Sequence, residues 1–327
     1  MPPGKTKTPI EKNVLSTAKR ESQAAKIART ATEVWDMSAK DAKELAFVSR
    51  VLVQAFLPNK EPNDIIWKRT NGNFTLLVKS GIGEENGKSK LYGVPYGTIP
   101  RLILAWLNSE VIRNAQDTKN ENPKIINLGR SLSDFLEKIG VGRTGGKTGG
   151  ITRFKKQAER LFRSEITVID AGKNGLHERD IKVADGRFIF WSDSNAGQTQ
   201  LWNNSVELSE RFYSLLVNNP VPLDWRVLKG IKQSSMALDL YMWLTHRMSY
   251  LHKPVCIRWE TLQEQLGSDV ERIDHFREKV RKHLKKITTI WRDLDIDASR
   301  ADGLYLLPTF SLTKPTKTRA LSARKKV

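Results

Sequence analysis

The chain has 327 residues, 39 % hydrophobic and 28 % charged, with a formal net charge of +19 and one cysteine, Cys256. Nine tryptophans supply material for cores and exclude a wholly disordered chain, while a single cysteine excludes an internal disulfide and a thiolate metal cage. No apolar run approaches the ~20 residues that span a bilayer, and the start lacks the apolar segment of a secretory signal, so a bacterial cytoplasm is the expected location and a phosphate-rich polymer the expected partner.

In chain order, the first stretch is basic and poor in large apolar residues. From Met1 to Ala31, Lys5, Lys7, Lys12, Lys19, Arg20, Lys26 and Arg29 face only Glu11 and Glu21, and residues 1–37 are expected to form a disordered arm. Residues 38–56 predict an amphipathic helix, with Ser38 as N-cap, Leu45, Val48, Leu52 and Phe56 at helical spacing, and Pro58 beyond its end. Residues 73–78 and 89–92 predict strands around the turn-rich Ser80-Gly81-Ile82-Gly83. This front section is too small to stand alone and is expected to pack on the helices that come after residue 97.

Residues 98–113 predict a strong helix with Leu102, Ile103, Trp106, Leu107 and Val111 on one broad face, 124–128 a short apolar piece and 131–139 a compact helix. A Gly-rich turn covers 140–150, residues 151–163 are helical again, and β-type segments come next at 166–170, 180–184 and 188–192. Helix, strand, helix, turn, helix and hairpin is the order of a winged helix, a helix-turn-helix that carries a β-hairpin. The order recurs: helix 234–251, strand 255–257, helix 259–266 ended by Gly267, helix 271–287, and a hairpin of 289–295 and 303–307 turning near Asp302-Gly303. Pro220 and Pro222 mark the joint. From Ser311 onward there are six bases and no acid. The expected fold is therefore α+β: two tandem winged-helix domains, at 38–217 (with a helix/strand extension) and 218–310, between basic disordered termini at 1–37 and 311–327.

The two helices in the recognition position carry the candidate site. On a helical wheel, Ile151, Phe154, Ala158, Leu161 and Phe162 gather on one side, and Thr152, Arg153, Lys156, Gln157, Arg160 and Arg163 on the other. Bases and amides reach phosphates and the edges of G and A, and Arg143 and Lys147 in the preceding turn extend that surface. In the second helix Ile273, Phe276, Val280, Leu284 and Ile287 form the inner stripe, while Arg272, His275, Lys279, Lys282 and Lys286 face out. Lys173 and Lys182 are candidates for wing contacts to phosphate or minor groove.

Other motifs fail their context. Gly140-Val141-Gly142-Arg143-Thr144-Gly145 spells GxGxxG but comes after a predicted helix, where a dinucleotide fingerprint needs a strand. Gly146-Lys147-Thr148 suggests a P-loop, yet Val141 stands where its first glycine belongs. The five histidines form neither HxH nor HExxH, so the metal site of a nickase is missing. No catalytic residue, metal, cofactor or small-molecule substrate is expected, and the protein is read as a non-enzyme.

The stretch from Tyr96-Gly97-Thr98-Ile99-Pro100-Arg101 through Ala105-Trp106-Leu107, then Ser131-Leu132-Ser133-Asp134-Phe135-Leu136, Thr144-Gly145-Gly146-Lys147, Val221-Pro222-Leu223-Asp224-Trp225 and Ser234 to Leu244, resembles the plasmid-encoded RepA replication initiators of IncW-type broad-host-range plasmids. The resemblance implies an initiator that binds repeats in double-stranded plasmid origin DNA, promotes origin opening, sets copy number and recruits the host initiator and replicative helicase. In tandem winged-helix initiators of other kinds monomers bind the repeats and dimers repress, which leaves self-association open here, with no dimer surface identified in the sequence. The resemblance supplies no catalytic residue and no base contact to transfer. An autoregulatory repressor of the same fold, an origin-acting primase or nickase, and a basic RNA-binding protein are the alternatives; the helix-turn-helix order favours duplex DNA over RNA, whose major groove is too narrow for side chains to read.

Overall fold

The structure, a computed structural model, describes residues 9–129, 131–172, 175–185, 205–218, 220–268 and 270–313, with side chains of the first helix from residue 23 on. It opens with helix α1 (Pro9–Asp36), strand β1 (Leu45–Ser49) and a single turn of helix, α2 (Arg50–Gln54). Both expectations for this region are corrected. The arm expected to be disordered is helical from Pro9, because Ile27, Ala31 and Val34 fall on one face and are buried. The helix expected at 38–56 is a turn, a strand and α2: Ser38 caps a turn through Asp41, Lys43 adopts φ +57, and the residues after it extend into a sheet.

Four strands come next, β2 (Ile66–Asn71), β3 (Phe74–Lys79), β4 (Gly81–Glu85) and β5 (Lys88–Gly93), and then the central helix α3 (Thr98–Gln116). Residues Ile99 through Ser109 of α3 are all buried, the polar Arg101, Asn108 and Ser109 among them, so the helix is covered on more than the one broad face expected. After it stand β6 (Ile125–Asn127), α4 (Leu132–Lys138), α5 (Gly150–Arg163), β7 (Glu165–Gly172) and β8 (Gly175–Lys182), then β9 (Ser205–Glu207) and α6 (Glu210–Val217). The second half holds β10 (Pro220–Asp224), α7 (Trp225–Ile231), α8 (Ser235–Tyr250), β11 (Val255–Arg258), α9 (Trp259–Leu266), α10 (Ile273–Ile290), β12 (Ile296–Asp297) and β13 (Gly303–Leu306). The fold mixes helices with antiparallel sheets. Among the described residues no helix is long and apolar enough to cross a membrane.

The two halves share an element order but not a sheet topology. In the second, β11, β13 and β12 form one antiparallel sheet, so the strand after the first helix closes on the terminal hairpin. The strand expected at 289–295 does not form: α10 runs on to Ile290, Trp291 is buried, and the first strand of the hairpin is β12, beyond the expected range. In the first half β6 pairs instead with β9, and the β7–β8 hairpin joins β3 and β2 in a four-stranded sheet. The front section thus packs on the first half as a sheet extension. The strand expected at 188–192 lies outside the described residues, as do residues 1–8 and 314–327.

The boundary expected at 217/218 is crossed by structure. β1 pairs with β10 from Leu45↔Asp224 to Ser49↔Pro220, and buried residues of both halves form one connected core. A buried ion pair ties α3 to α8: Arg101 donates to Asp239 Oδ1 at 2.6 Å and Oδ2 at 2.7 Å. The same guanidinium donates to the carbonyls of Leu57, Pro58 and Gly97, so its charge is fully hydrogen-bonded although almost no water reaches it. Burial pushes the Asp239 carboxyl up to about 6 against the pull of Arg101.

Candidate nucleic-acid interface

The turn between α4 and α5 is shaped by its own backbone. Gly140 ends α4 at φ +74, and the Val141 N–H donates to the Leu136 carbonyl. A Cβ on Gly150 would collide with the Gly142 carbonyl oxygen, and one on Gly149 would collide with that of Gly145. Only glycine allows this approach. The turn then caps the helix it precedes: Gly150 N–H donates to Thr144 Oγ1 at 2.9 Å and Ile151 N–H to the Thr144 carbonyl at 3.2 Å. These N–H groups are spent inside the protein, and the glycines serve the loop's own packing.

Above that cap the basic side chains stand in solvent. Arg143, Lys147, Arg153 and Lys156 are exposed. Arg143 lies 3.3 Å from Glu137 and Lys156 lies 3.7 Å from Glu61, while the Arg153 side chain has no ion pair among the described residues. Thr152 is exposed but donates its hydroxyl to the Gly146 carbonyl at 2.8 Å, which makes it part of the cap.

Three members of the expected outward face of α5 are engaged elsewhere. Gln157 is buried, its Oε1 accepting the Tyr96 N–H at 2.9 Å. Arg160 is 6 % exposed; it donates to the Val94 carbonyl and to Glu61, and lies against the Tyr96 ring. Arg163 sets its guanidinium 4.3 Å from the Tyr92 ring centroid and pairs with Glu159 at 3.5 Å. The cause is tertiary: segment 93–97 and the β4–β5 hairpin cover a flank of α5 that a wheel treats as open. Glu61 anchors this flank, and its bond from Arg160 holds its carboxyl below the usual range.

On α10 the expected inner stripe holds: Phe276, Val280, Leu284 and Ile287 are buried and Ile273 packs against them. His275, Lys279 and Lys282 are exposed on the opposite side. Arg272, just before the helix, is exposed but pairs with Asp274 at 2.6 Å. Lys286 is half-buried, and desolvation with Lys282 nearby lowers its pKa. His283 is half-buried as well. Its Nε2 lies 3.2 Å from Ser234 Oγ, and burial together with Lys286, Lys282 and Lys279 lowers its pKa to about 4.

Two arginines of α10 have a role that the sequence reading missed. Arg277 donates to the Ala301 carbonyl, and Arg281 to those of Ala298, Ser299 and Arg300. They hold the β12–β13 turn against the helix, so the exposed cations and the hairpin form one rigid unit. The only signal in the sequence was an arginine spacing of four on a helix followed by a polar turn. The wing candidates fare differently. Lys182 is exposed but sits at the base of the β7–β8 hairpin opposite Glu165, far along the strands from the turn. Lys173 lies outside the described residues.

This chain belongs to the family of plasmid-encoded RepA proteins: the family profile matches residues 94–260, more than half of its length. The match covers α3 through β11 and therefore includes α5 but not α10. No curated protein matches the sequence. Among solved structures, the crystal structure of selenomethionine derivatives of domains 2 and 3 of RctB is similar at a TM-score of 0.42 and 12 % identity, over 75 % of this chain and 84 % of that one. A likeness at that level decides neither fold nor function.

Proposed function

We propose that this RepA-family protein is a non-enzymatic replication initiator that binds repeats in double-stranded plasmid origin DNA through two winged-helix units, with α5 and α10 as recognition helices. The observation that carries the reading is α10: a buried apolar stripe on one face, exposed His275, Lys279 and Lys282 on the other, and a hairpin pinned to it by Arg277 and Arg281. Three-stranded closure of β11, β13 and β12 beside it is the arrangement expected of a wing. The α5 unit supports the reading through Arg143, Lys147, Arg153 and Lys156, which surround a self-capped turn. Origin opening then results from bending or unwinding DNA under several bound copies and not from bond breaking. Recruitment of the host initiator and helicase and self-association complete the proposal.

Footprinting on the plasmid's own origin against scrambled DNA, at two salt concentrations, tests it. Periodic protection whose preference survives higher salt is the expected result. Equal, salt-labile binding to both DNAs would leave only counterion release from a basic protein and reject specific recognition.

A further inference from the structure

Two tryptophans of the sequence motifs, Trp106 and Trp225, line a cleft of about 180 Å³ between α3, α7, β1 and the end of α4, beside Gly140 at the start of the α4–α5 turn. Leu45 and Ala46 complete its apolar side, Ser109 lies in the wall with its hydroxyl accepting the Phe47 N–H and donating to the Ala105 carbonyl, and Lys43, Arg113, Lys138 and Lys229 line its basic side. Its acids are few: Glu44 in the wall lies 4.0 Å from Lys229, and Glu110 reaches Arg113 and Lys138 from beside it.

We infer that this cleft is a docking site for an acidic peptide segment of a partner protein, entered by a glutamate-type side chain. Size favours a side chain over a nucleotide, since ligand pockets for whole small molecules run to roughly 300–1,000 Å³, whereas a cavity of about 150 Å³ holds one benzene. The ring faces argue against a stacked base. Lys138 Nζ lies 5.3 Å from the Trp106 ring centroid and Lys229 Nζ 5.9 Å from that of Trp225, so cations already occupy them. The donors fit a carboxylate. Lys43, Arg113, Lys138 and Lys229 offer N–H groups to it, while the two indoles supply ring surface, Trp225 donating its own N–H to the Lys138 carbonyl. A glutamate can lay its methylenes on Leu45 and Ala46 and bring its carboxylate to the lysines.

The inference does not depend on DNA binding by α5 and α10. It is tested on the full chain labelled with 5-fluorotryptophan, with the Trp106 and Trp225 fluorine signals assigned through W106F and W225F. Hexaglutamate, hexaglutamine and hexathymidylate are titrated separately. Hexaglutamate is expected to shift both signals saturably, and K43E and K229E are each expected to weaken it about two- to fivefold, the scale of a solvent-exposed ion pair. Signals that stay still, or that move equally with hexaglutamine, overturn the proposal. Stronger shifts with hexathymidylate, or lost origin affinity in K43E and K229E, assign the cleft to nucleic acid and overturn it as well. Loss of origin binding in α5 and α10 variants alone leaves it standing.

Discussion

Single residues sort by what surrounds them and not by charge. Lys279 and Arg160 are both cations on candidate recognition helices, yet Lys279 is exposed and Arg160 is enclosed by Val94, Glu61 and Tyr96. Lys279→Ala and Lys282→Ala should therefore each weaken origin binding and lower the slope of log affinity against log salt by about one. Arg160→Ala should lower the urea midpoint and leave that salt slope unchanged; a slope reduced as much as for Lys279 would return Arg160 to the interface. His283 makes a pH prediction. Its folded pKa of about 4 lies below the ordinary value near 6.5, so the unfolded chain binds the proton first. The stability it contributes is full above about pH 6.5 and is lost as pH falls toward 4, and His246, lowered to about 4 by burial and Arg50, acts in the same direction. Urea titrations at pH 7 and 4.5 should show this loss, and H283Q should reduce it.

At the scale of elements, the wheel was reliable where one face meets a core and the other meets water. That is the case for α10, whose inner stripe was legible residue by residue. It failed for α5, because segment 93–97 and the β4–β5 hairpin come from more than fifty residues earlier and cover a second flank. A third case is α1, where the spacing of Ile27, Ala31 and Val34 was present in the sequence but outweighed by the basic composition around it. The α4–α5 turn yields a sharper prediction. Gly150→Ala brings a methyl into the Gly142 carbonyl, and overpacking of this kind costs about 1–3 kcal/mol. Thermal unfolding should register that loss, and origin affinity should fall with it if the cap positions Arg143, Lys147 and Arg153.

At the scale of the molecule, the Arg101–Asp239 pair and the β1–β10 pairing join halves that the element order separates. Removing one partner leaves a charge stranded in the interior, so Asp239→Ala should cost about 3–5 kcal/mol in urea unfolding. Replacing both partners with apolar residues of similar volume should cost much less. A single cooperative transition lost together across probes in both halves is expected of the shared core, whereas two separate transitions would mean that the halves fold independently.

The sequence by itself determined the family, the α+β composition, the repeated element order and the apolar stripes, because periodicity and turn chemistry act over a few residues. Only the tertiary structure decided which polar side chains remain free. Gln157 and Arg160 were drawn inward by Tyr96 and Glu61, residues 45–49 became a strand by pairing with 220–224, and Arg277 and Arg281 were committed to a turn some twenty residues away. A polar group's fate depends on which backbone carbonyl or carboxylate the fold brings beside it, and that neighbour is set by long-range packing that no local pattern encodes.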